Sequence, residues 1–506
     1  VADQIEKDDL PKRALRGHAA IGLIAGALIF LLSLSGVLAV SAERWQRWEE
    51  PAAPEMTDIS PAAAQAALEA AIAADGKPTT HAYLHMPTDK LPRVIVTTDY
   101  SAHYVTEDGE LAAPEDHVWT EFILALHYYL NLPMTPGLIL VGIVGVALSA
   151  AAVTGVLAHP RIFRDAFRLR PRGQKQLAQA DWHNRIGSWT LPFTLAVALT
   201  GAAIGLGVAV FQGIAAERFG GDMEAVYGPL FGDHPHEDPA PAPLARADIA
   251  LTWMADNHPQ RRITYVTLEH PQTAGQQISI LADHDQRLIY GESYVFDGDG
   301  FPDGKIGLSD GALGQQAIAS AYKLHFGNFA GIPVELAYIL FGLGLCAVTA
   351  TGMSLWLMKR RARGLAEPRL EAFWSITVWG SPLLLIMAYW LRMIGGPAMP
   401  LTAFFWVALP VAMLAGMTRP SVWIAPILRY SLAAGLVITA LAHGLIFGFA
   451  PLSSLAINAA LIAMAAAIIT FSPRAGAPWK GRIQPDAGTG TGPRDGELSN
   501  TAPAAE

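Results

Sequence analysis

The sequence predicts a mostly α membrane protein of about eight transmembrane helices, the first four forming a duplicated two-helix unit, with two small α+β modules on one side of the bilayer. Three observations predict it. Of 506 residues, 52% are hydrophobic and only 16% charged, well below the quarter of charged residues usual in soluble domains. Eight nearly charge-free runs are long enough to cross about 30 Å of hydrocarbon. Short motifs centred on histidine recur in the same order in both halves of the first 365 residues.

The runs are Ile21 to Ala42, Pro136 to Ala158, Ile186 to Ala216, Ile332 to Met358, Ala372 to Leu391, Met393 to Thr418, Tyr430 to Ala450 and Leu452 to Phe471. The loop His159 to Arg185 carries Arg161, Arg164, Arg168, Arg170, Arg172, Lys175 and Arg185 against Asp165 and Asp181, and Lys359 to Arg369 repeats the bias after the fourth run. Positive loops stay inside, so these loops and both termini are expected on the cytoplasmic side. The first run has the length of a full span rather than of a signal peptide.

The opposite loops are acidic. Glu43 to Thr120 holds 14 Asp/Glu and 5 Lys/Arg, and Gly213 to Gly331 holds 16 and 7, a balance of −9 in each. The chain therefore divides into residues 1–42 (cytoplasmic N-terminus and first span), 43–133 (first periplasmic module), 134–216 (spans two and three), 217–331 (second module), 332–370 (span four and a basic loop), 371–472 (four further spans) and 473–506 (a disordered cytoplasmic tail). In the first module, Ser60 and Pro61 open a helix to Ala74. Strands follow at His81 to His85, Arg93 to Thr98 and Ala102 to Thr106, with a turn at Asp108-Gly109. Ala245 to Asn257, Arg262 to Leu268, Gln277 to Ala282 and Arg287 to Val295 repeat that order.

In the membrane unit, His18 is followed by Gly22 and Ser35-Gly36, and His183 by Gly187 and Thr200-Gly201, at identical offsets. Leu126-His127 precedes the second run and Leu324-His325 the fourth, with Thr154-Gly155 and Thr351-Gly352 lying 27 and 26 residues beyond the histidines. The repeat brings His18 and His183 together at the cytoplasmic ends of spans one and three, and His127 and His325 together at the exterior ends of spans two and four. An ionisable side chain in hydrocarbon faces the bundle interior, and two neutral imidazoles make a six-coordinate site for haem iron. Taken singly, each histidine is better explained as an interfacial polar residue satisfied by water or a headgroup; four at equivalent positions favour ligation. Small residues Gly17, Gly22, Gly187 and Gly327 would let helices and a flat macrocycle approach closely.

The same motifs, Gly17-His18 with Gly22, Leu126-His127, Asp181-Trp182-His183 with Gly187, Leu324-His325-Phe326-Gly327 and the run Thr351 to Trp356, resemble the PepSY-associated transmembrane helix family over roughly the first 365 residues. The resemblance implies periplasmic PepSY modules flanked by membrane helices and a likeness to dihaem ferrisiderophore reductases. It implies two haems b with His18, His183, His127 and His325 as axial ligands, and a ferric siderophore or other periplasmic electron acceptor. The electron donor stays open. Nothing carries over to the last four spans.

Other chemistry is excluded or weak. A single cysteine, Cys346, removes disulfide frameworks and thiolate clusters, no CxxCH exists for covalent haem, and no Gly-rich nucleotide loop occurs. The acidic balance argues against nucleic acid. His443 reads as a buried histidine on a neighbouring carbonyl and His159 as a cap or headgroup contact. The clusters Asp233 to Asp238 and Asp297 to Gly304 read as solvated turns, with weak calcium binding open for the second. The alternatives to a haem conduit are a periplasmic binding or sensory protein without haem, and a transport or assembly partner. The charge bias itself is testable: a reporter fused after Arg172 or at the C-terminus should label as cytoplasmic, and one inserted near Gly109 or Gly275 as periplasmic.

Overall fold

The computed structural model describes residues 2–165, 175–232, 238–284, 287–448 and 452–471. The basic residues Arg168, Arg170 and Arg172, most of the cluster Asp233 to Asp238, and the tail 473–506 lie outside the described residues. The helices are α1 (Ala2–Ala39), α2 (Ala42–Glu49), α3 (Pro61–Asp75), α4 (Val118–Tyr129), α5 (Met134–Ala158), α6 (Ile162–Asp165), α7 (Lys175–Arg218), α8 (Glu224–Phe231), α9 (Ala247–Asn257), α10 (Leu313–Phe326), α11 (Ile332–Ala362), α12 (Pro368–Ser375), α13 (Ser381–Gly395), α14 (Leu401–Thr418), α15 (Ile424–Phe447) and α16 (Leu452–Phe471). A π-helical turn, Ile376–Gly380, joins α12 to α13 into one span. Eight helices among the described residues are long and apolar enough to cross a membrane, so the chain is a multi-pass membrane protein.

Helices α1, α5, α7 and α11 form a four-membered ring in which α1 and α7 each pack against α5 and α11. Small residues set the spacing. A Cβ on Gly142 would lie 2.9 Å from the Leu206 nitrogen, one on Gly205 would lie 2.7 Å from the Leu138 carbonyl oxygen, and one on Gly342 would lie 2.7 Å from Val37. The backbones of α5 and α7 thus touch, as small-residue contacts permit in lipid.

The two loop modules do not stand apart. Strands β1 (His81–His85), β2 (Ile95–Thr98), β3 (Ala102–Val105), β4 (Leu111–Pro114), β5 (Ile263–Glu269), β6 (Gln277–Ala282), β7 (Glu292–Phe296) and β8 (Pro302–Ile306) make one antiparallel sheet in the order β4-β3-β2-β1-β5-β6-β7-β8. The first strand of each module pairs with its counterpart, from His81 opposite Glu269 to His85 opposite Tyr265. Strands β4 and β8 carry little apolar alternation and are absent from the sequence-based expectation. The seventh strand covers Glu292–Phe296 rather than beginning at Arg287. Helices α3 and α9 lie on one face, where Leu68, Ala71, Leu84, Val96, Leu251, Met254, Val266, Leu268, Ile278 and Ile280 form a shared core. Ser60 caps α3 by accepting from the Ala63 nitrogen at 3.2 Å. The Asp297 stretch is a turn in which that carboxylate accepts from the Asp299 and Phe301 nitrogens.

The last four spans pack against α1, α2 and α4. Four indole donors mark the seam: Trp119 to the Leu385 carbonyl, Trp406 to the Leu130 carbonyl, Trp48 to Asn458, and Trp374 to the Ala350 carbonyl. His443, wholly buried, stacks on Trp48 at 4.3 Å, donates to the Trp48 carbonyl at 2.7 Å, and accepts from Asn458.

Candidate functional site

Each of the four histidines lies against one Ser/Thr-Gly pair of a neighbouring helix. A side-chain hydroxyl in a helix that folds back on its own carbonyls gives the first part: Ser35, Thr154, Thr200 and Thr351 donate to Leu31, Ala150, Ala196 and Ala347, four residues earlier in each case. The glycine that follows leaves a notch. Into it fits the edge of an imidazole, since a Cβ on Gly36, Gly155, Gly201 or Gly352 would meet His127, His18, His325 or His183 at 2.9, 3.2, 2.8 and 2.9 Å respectively.

The carbonyl three residues before the hydroxyl completes the cradle. His18 Nδ1 donates to the Ala151 carbonyl at 2.9 Å, His183 to Val348 at 3.0 Å, and His127 to Leu32 at 3.1 Å, with Ser35 Oγ at 3.3 Å from the same nitrogen. His325 Nδ1 lies 3.0 Å from Thr200 Oγ1, with the Val197 carbonyl in the corresponding position. A carbonyl only accepts, so Nδ1 must carry the proton and Nε2 is left with a free lone pair.

The rings come together in twos. The His18 and His183 ring centres are 6.1 Å apart with planes at 69°, and the His127 and His325 centres are also 6.1 Å apart, with planes at 19°. Helices α1 and α7 sit diagonally in the ring, so the first pair faces across the bundle near the basic-loop end. The second pair closes the opposite end. His127 and His325 stand before spans two and four, as expected, but on short helices of their own, α4 and α10. Leu130 and Asn131 take left-handed backbone (φ 57° and 53°), as do Gly327, Ala330 and Gly331 (φ 68°, 51° and 66°), which breaks the chain before each span. Burial pushes both imidazoles down to about 4, with the neighbouring His325 adding to the effect on His127. Both are therefore neutral, the form that binds metal.

A metal–imidazole bond of about 2 Å on each side, plus about 1 Å from nitrogen to ring centre, sets two ligands of one ion roughly 6 Å apart. Both pairs match that span. No cluster of three or more His, Cys, Asp or Glu that could hold a metal ion occurs among the described residues, so each pair offers two opposed ligands and no equatorial ones. A macrocycle that brings four equatorial nitrogens of its own fits this donor set; a bare cation does not.

The histidine rings lie against Gly36, Gly155, Gly201 and Gly352 rather than against Gly17, Gly22, Gly187 and Gly327, the small residues expected to give room beside them. Nothing lies within 4 Å of a Cβ on Gly22, Gly17 and Gly187 meet only distant methyls at 4.0 Å, and Gly327 serves a turn against Tyr338. The signal for Gly36, Gly155, Gly201 and Gly352 was present as the fourfold Ser/Thr-Gly recurrence, but which helix each pair faces is decided by packing. His159 ends α5, its carbonyl accepting from the Ile162 nitrogen. An expected outcome follows for unfolding measurements on the purified protein: Gly36→Ala and Gly201→Ala lose about 1–3 kcal/mol through overpacking, whereas Gly22→Ala is neutral or gains up to about 1 kcal/mol from helix propensity.

Comparison with known proteins agrees with this architecture. The chain is 27% identical over 270 residues to an uncharacterized protein of Pseudomonas aeruginosa, an alignment covering 49% of this chain and 66%, just under two thirds, of that protein's length. Residues 15–359, which begin just before His18 and end at the close of span four, match the PepSY-associated TM region. The chain belongs to the PepSY-associated transmembrane family.

Proposed function

We propose that the protein is an inner-membrane, b-type dihaem electron conduit with both termini in the cytoplasm. In this reading it carries electrons across the membrane to a periplasmic acceptor, a ferric siderophore. The observation that carries the reading is the pair of 6.1 Å histidine separations at opposite ends of one bundle, each with Nδ1 tied to a carbonyl and Nε2 free. His18 and His183 would hold the inner haem and His127 and His325 the outer one. Bound haem supplies one-electron chemistry, and reduction of a ferric chelate to Fe(II) weakens its hold by hard oxygen ligands.

The rest is performed by the chain. The four Nδ1 hydrogen bonds fix the ring orientation and raise the basicity of Nε2, as outer-shell partners of metal ligands do. The glycine notches set how close each ring lies to its neighbouring helix. Burial holds the imidazoles of His127 and His325 neutral.

Haem extraction and a reduced-minus-oxidised spectrum test the reading: two non-covalent haems b are expected per chain. A folded preparation without Soret absorption would favour the binding or sensory alternative. His127→Ala or His325→Ala should remove the outer centre or make it high-spin and leave the inner one, His18→Ala or His183→Ala should do the converse, and His159→Ala should leave both. Either pair of losses should lower electron flow to an exterior ferric chelate by at least tenfold in vesicles.

The ring angles add a separate signature. Nearly perpendicular imidazoles leave the iron d orbitals close to degenerate, while nearly parallel ones split them. Electron paramagnetic resonance of the oxidised protein should therefore show two low-spin signals, a strongly anisotropic one lost in His18→Ala and a rhombic one lost in His325→Ala. A single signal type for both centres would contradict the two geometries.

A further inference from the structure

Helix α4, which carries His127 in its last turn, begins in a buried cluster of charge that electron transfer as described leaves unused. His117 forms its N-cap and is only 5% exposed. His117 Nδ1 lies 3.2 Å from a Glu115 oxygen and 3.7 Å from Glu50, without a hydrogen bond of good geometry, and Nε2 lies 3.0 Å from the Gln46 amide and 3.7 Å from Glu121. From α2, Glu49 accepts from the Trp119 and Thr120 nitrogens, and Glu50 accepts from Tyr104 and the Asp116 nitrogen. Arg392 of α13 pairs with Asp116.

The cluster is acidic and its hydrogen bonding incomplete. Five carboxylates, those of Glu49, Glu50, Glu115, Asp116 and Glu121, face two guanidinium groups, Arg93 and Arg392. Arg93, whose side chain is fully buried, donates through Nη2 to the Glu50 carbonyl, while its Nε and Nη1 have no hydrogen-bond partner; nor has Arg392 Nε. On the sheet side stand His85 of β1, which burial and the nearby His117 push down to about 4, and Tyr265 of β5, on which Glu115 acts. Buried polar atoms left unpaired in a native site call for a reason.

We infer that His117, set among Glu50, Glu115 and Glu121, is a proton-binding site electrostatically coupled to the outer histidine pair, so that a proton from the exterior and an electron at that pair stabilise one another. This rests on the haem reading above. Neutral His117 accepts from the Gln46 amide at Nε2 and points Nδ1–H at Glu115. On protonation, a flip of the Gln46 amide lets Nε2–H donate to its oxygen, and the three carboxylates hold the imidazolium. Burial lowers the affinity of His117 for the proton, but the nearby carboxylates of Glu50, Glu115, Glu121 and Glu49 outweigh it and raise its pKa above the ordinary value. The site therefore holds its proton to higher pH than an ordinary histidine.

The magnitude follows from the helix. Ten residues separate His117 from His127, about 15 Å of α4 at 1.5 Å each. One added electron at that distance, with an effective dielectric constant of about 20, tightens proton binding about sixfold. Linkage is reciprocal, so the proton raises the electron affinity of the outer centre by the same factor, about 45 mV at 59 mV per tenfold. Averaged over molecules, each electron arriving at the outer pair draws part of a proton from exterior water; when the electron passes on to a ferric chelate, reducing it to Fe(II), that proton is released to water or to the freed ligand.

Redox titration of the full-length protein in detergent, from pH 5.5 to 9.5, with the two centres followed separately by electron paramagnetic resonance, tests this. The outer midpoint should fall by about 45 mV between acid and alkaline plateaus while the inner one stays level, and His117→Gln should flatten the outer profile. Should that variant not fold, Glu121→Gln, whose side chain is 65% exposed, should shift the fall to lower pH. An outer midpoint independent of pH, or one whose fall survives in His117→Gln, overturns the proton site while leaving the conduit standing. Absence of any haem signal overturns both.

Discussion

An imidazole inside a helical bundle has one N–H that lipid cannot satisfy, and the helices around it already use their carbonyls. The structure meets this constraint four times in one way. A hydroxyl folds back on the carbonyl four residues earlier, and the carbonyl three residues earlier takes the histidine Nδ1–H. A hydrogen bond between membrane helices stabilises by about 0.6 kcal/mol on average, so four of them add only a few. Their larger effect is on direction. They select one tautomer and fix the orientation of each ring, and the two rings from diagonal helices stand 6.1 Å apart.

The two ends of the bundle are braced differently. His18 and His183 belong to long spans, whose positions are set by the α1, α5, α7 and α11 ring. His127 and His325 belong to short helices whose orientation needs outside support. Helix α4 receives it from the C-terminal spans, through Trp119, Trp406 and the Arg392–Asp116 pair, and from α2, whose buried Glu49 caps its first turn. Helix α10 instead packs on α7 and α8. The four spans outside the family region thus have a structural role visible in the packing: they hold one of the two histidine helices at the sheet end of the bundle.

The fused sheet ties the two halves of the repeat on the module side. Pairing of β1 with β5 removes two edges that would otherwise be exposed in separate modules. A second tie crosses at the membrane surface, where Glu335 of α11, almost wholly buried, takes both hydrogen bonds of the Arg44 fork and lies 3.7 Å from Lys90. Removing Arg44 would strand the buried Glu335 carboxylate, the costly case for an ion pair. Both ties join the first unit to the second, so the distance across the outer histidine pair is held by sheet and salt bridge as well as by helix packing.

The eight apolar runs, the duplicated unit, the histidine pairs and most strands were legible in the sequence, because each has a local period or a fixed offset that one chain displays. Hydrocarbon thickness dictates span length, and strand alternation dictates β6 to the residue. What tertiary structure alone decided has no such period. Strands β4 and β8 exist because a neighbouring strand offers a ladder, not because their own residues alternate. Glycines at Gly36, Gly155, Gly201 and Gly352 matter because a ring from another helix lies against them, whereas Gly22, alike in sequence, faces open space. Placement of His127 and His325 on separate short helices turns on left-handed residues such as Leu130 and Asn131, an unfavourable backbone that tertiary packing holds and local preference would not choose. The partners of His443, Trp48 and Asn458 lie hundreds of residues apart or on another span, and only the docking of the last four helices brings them together.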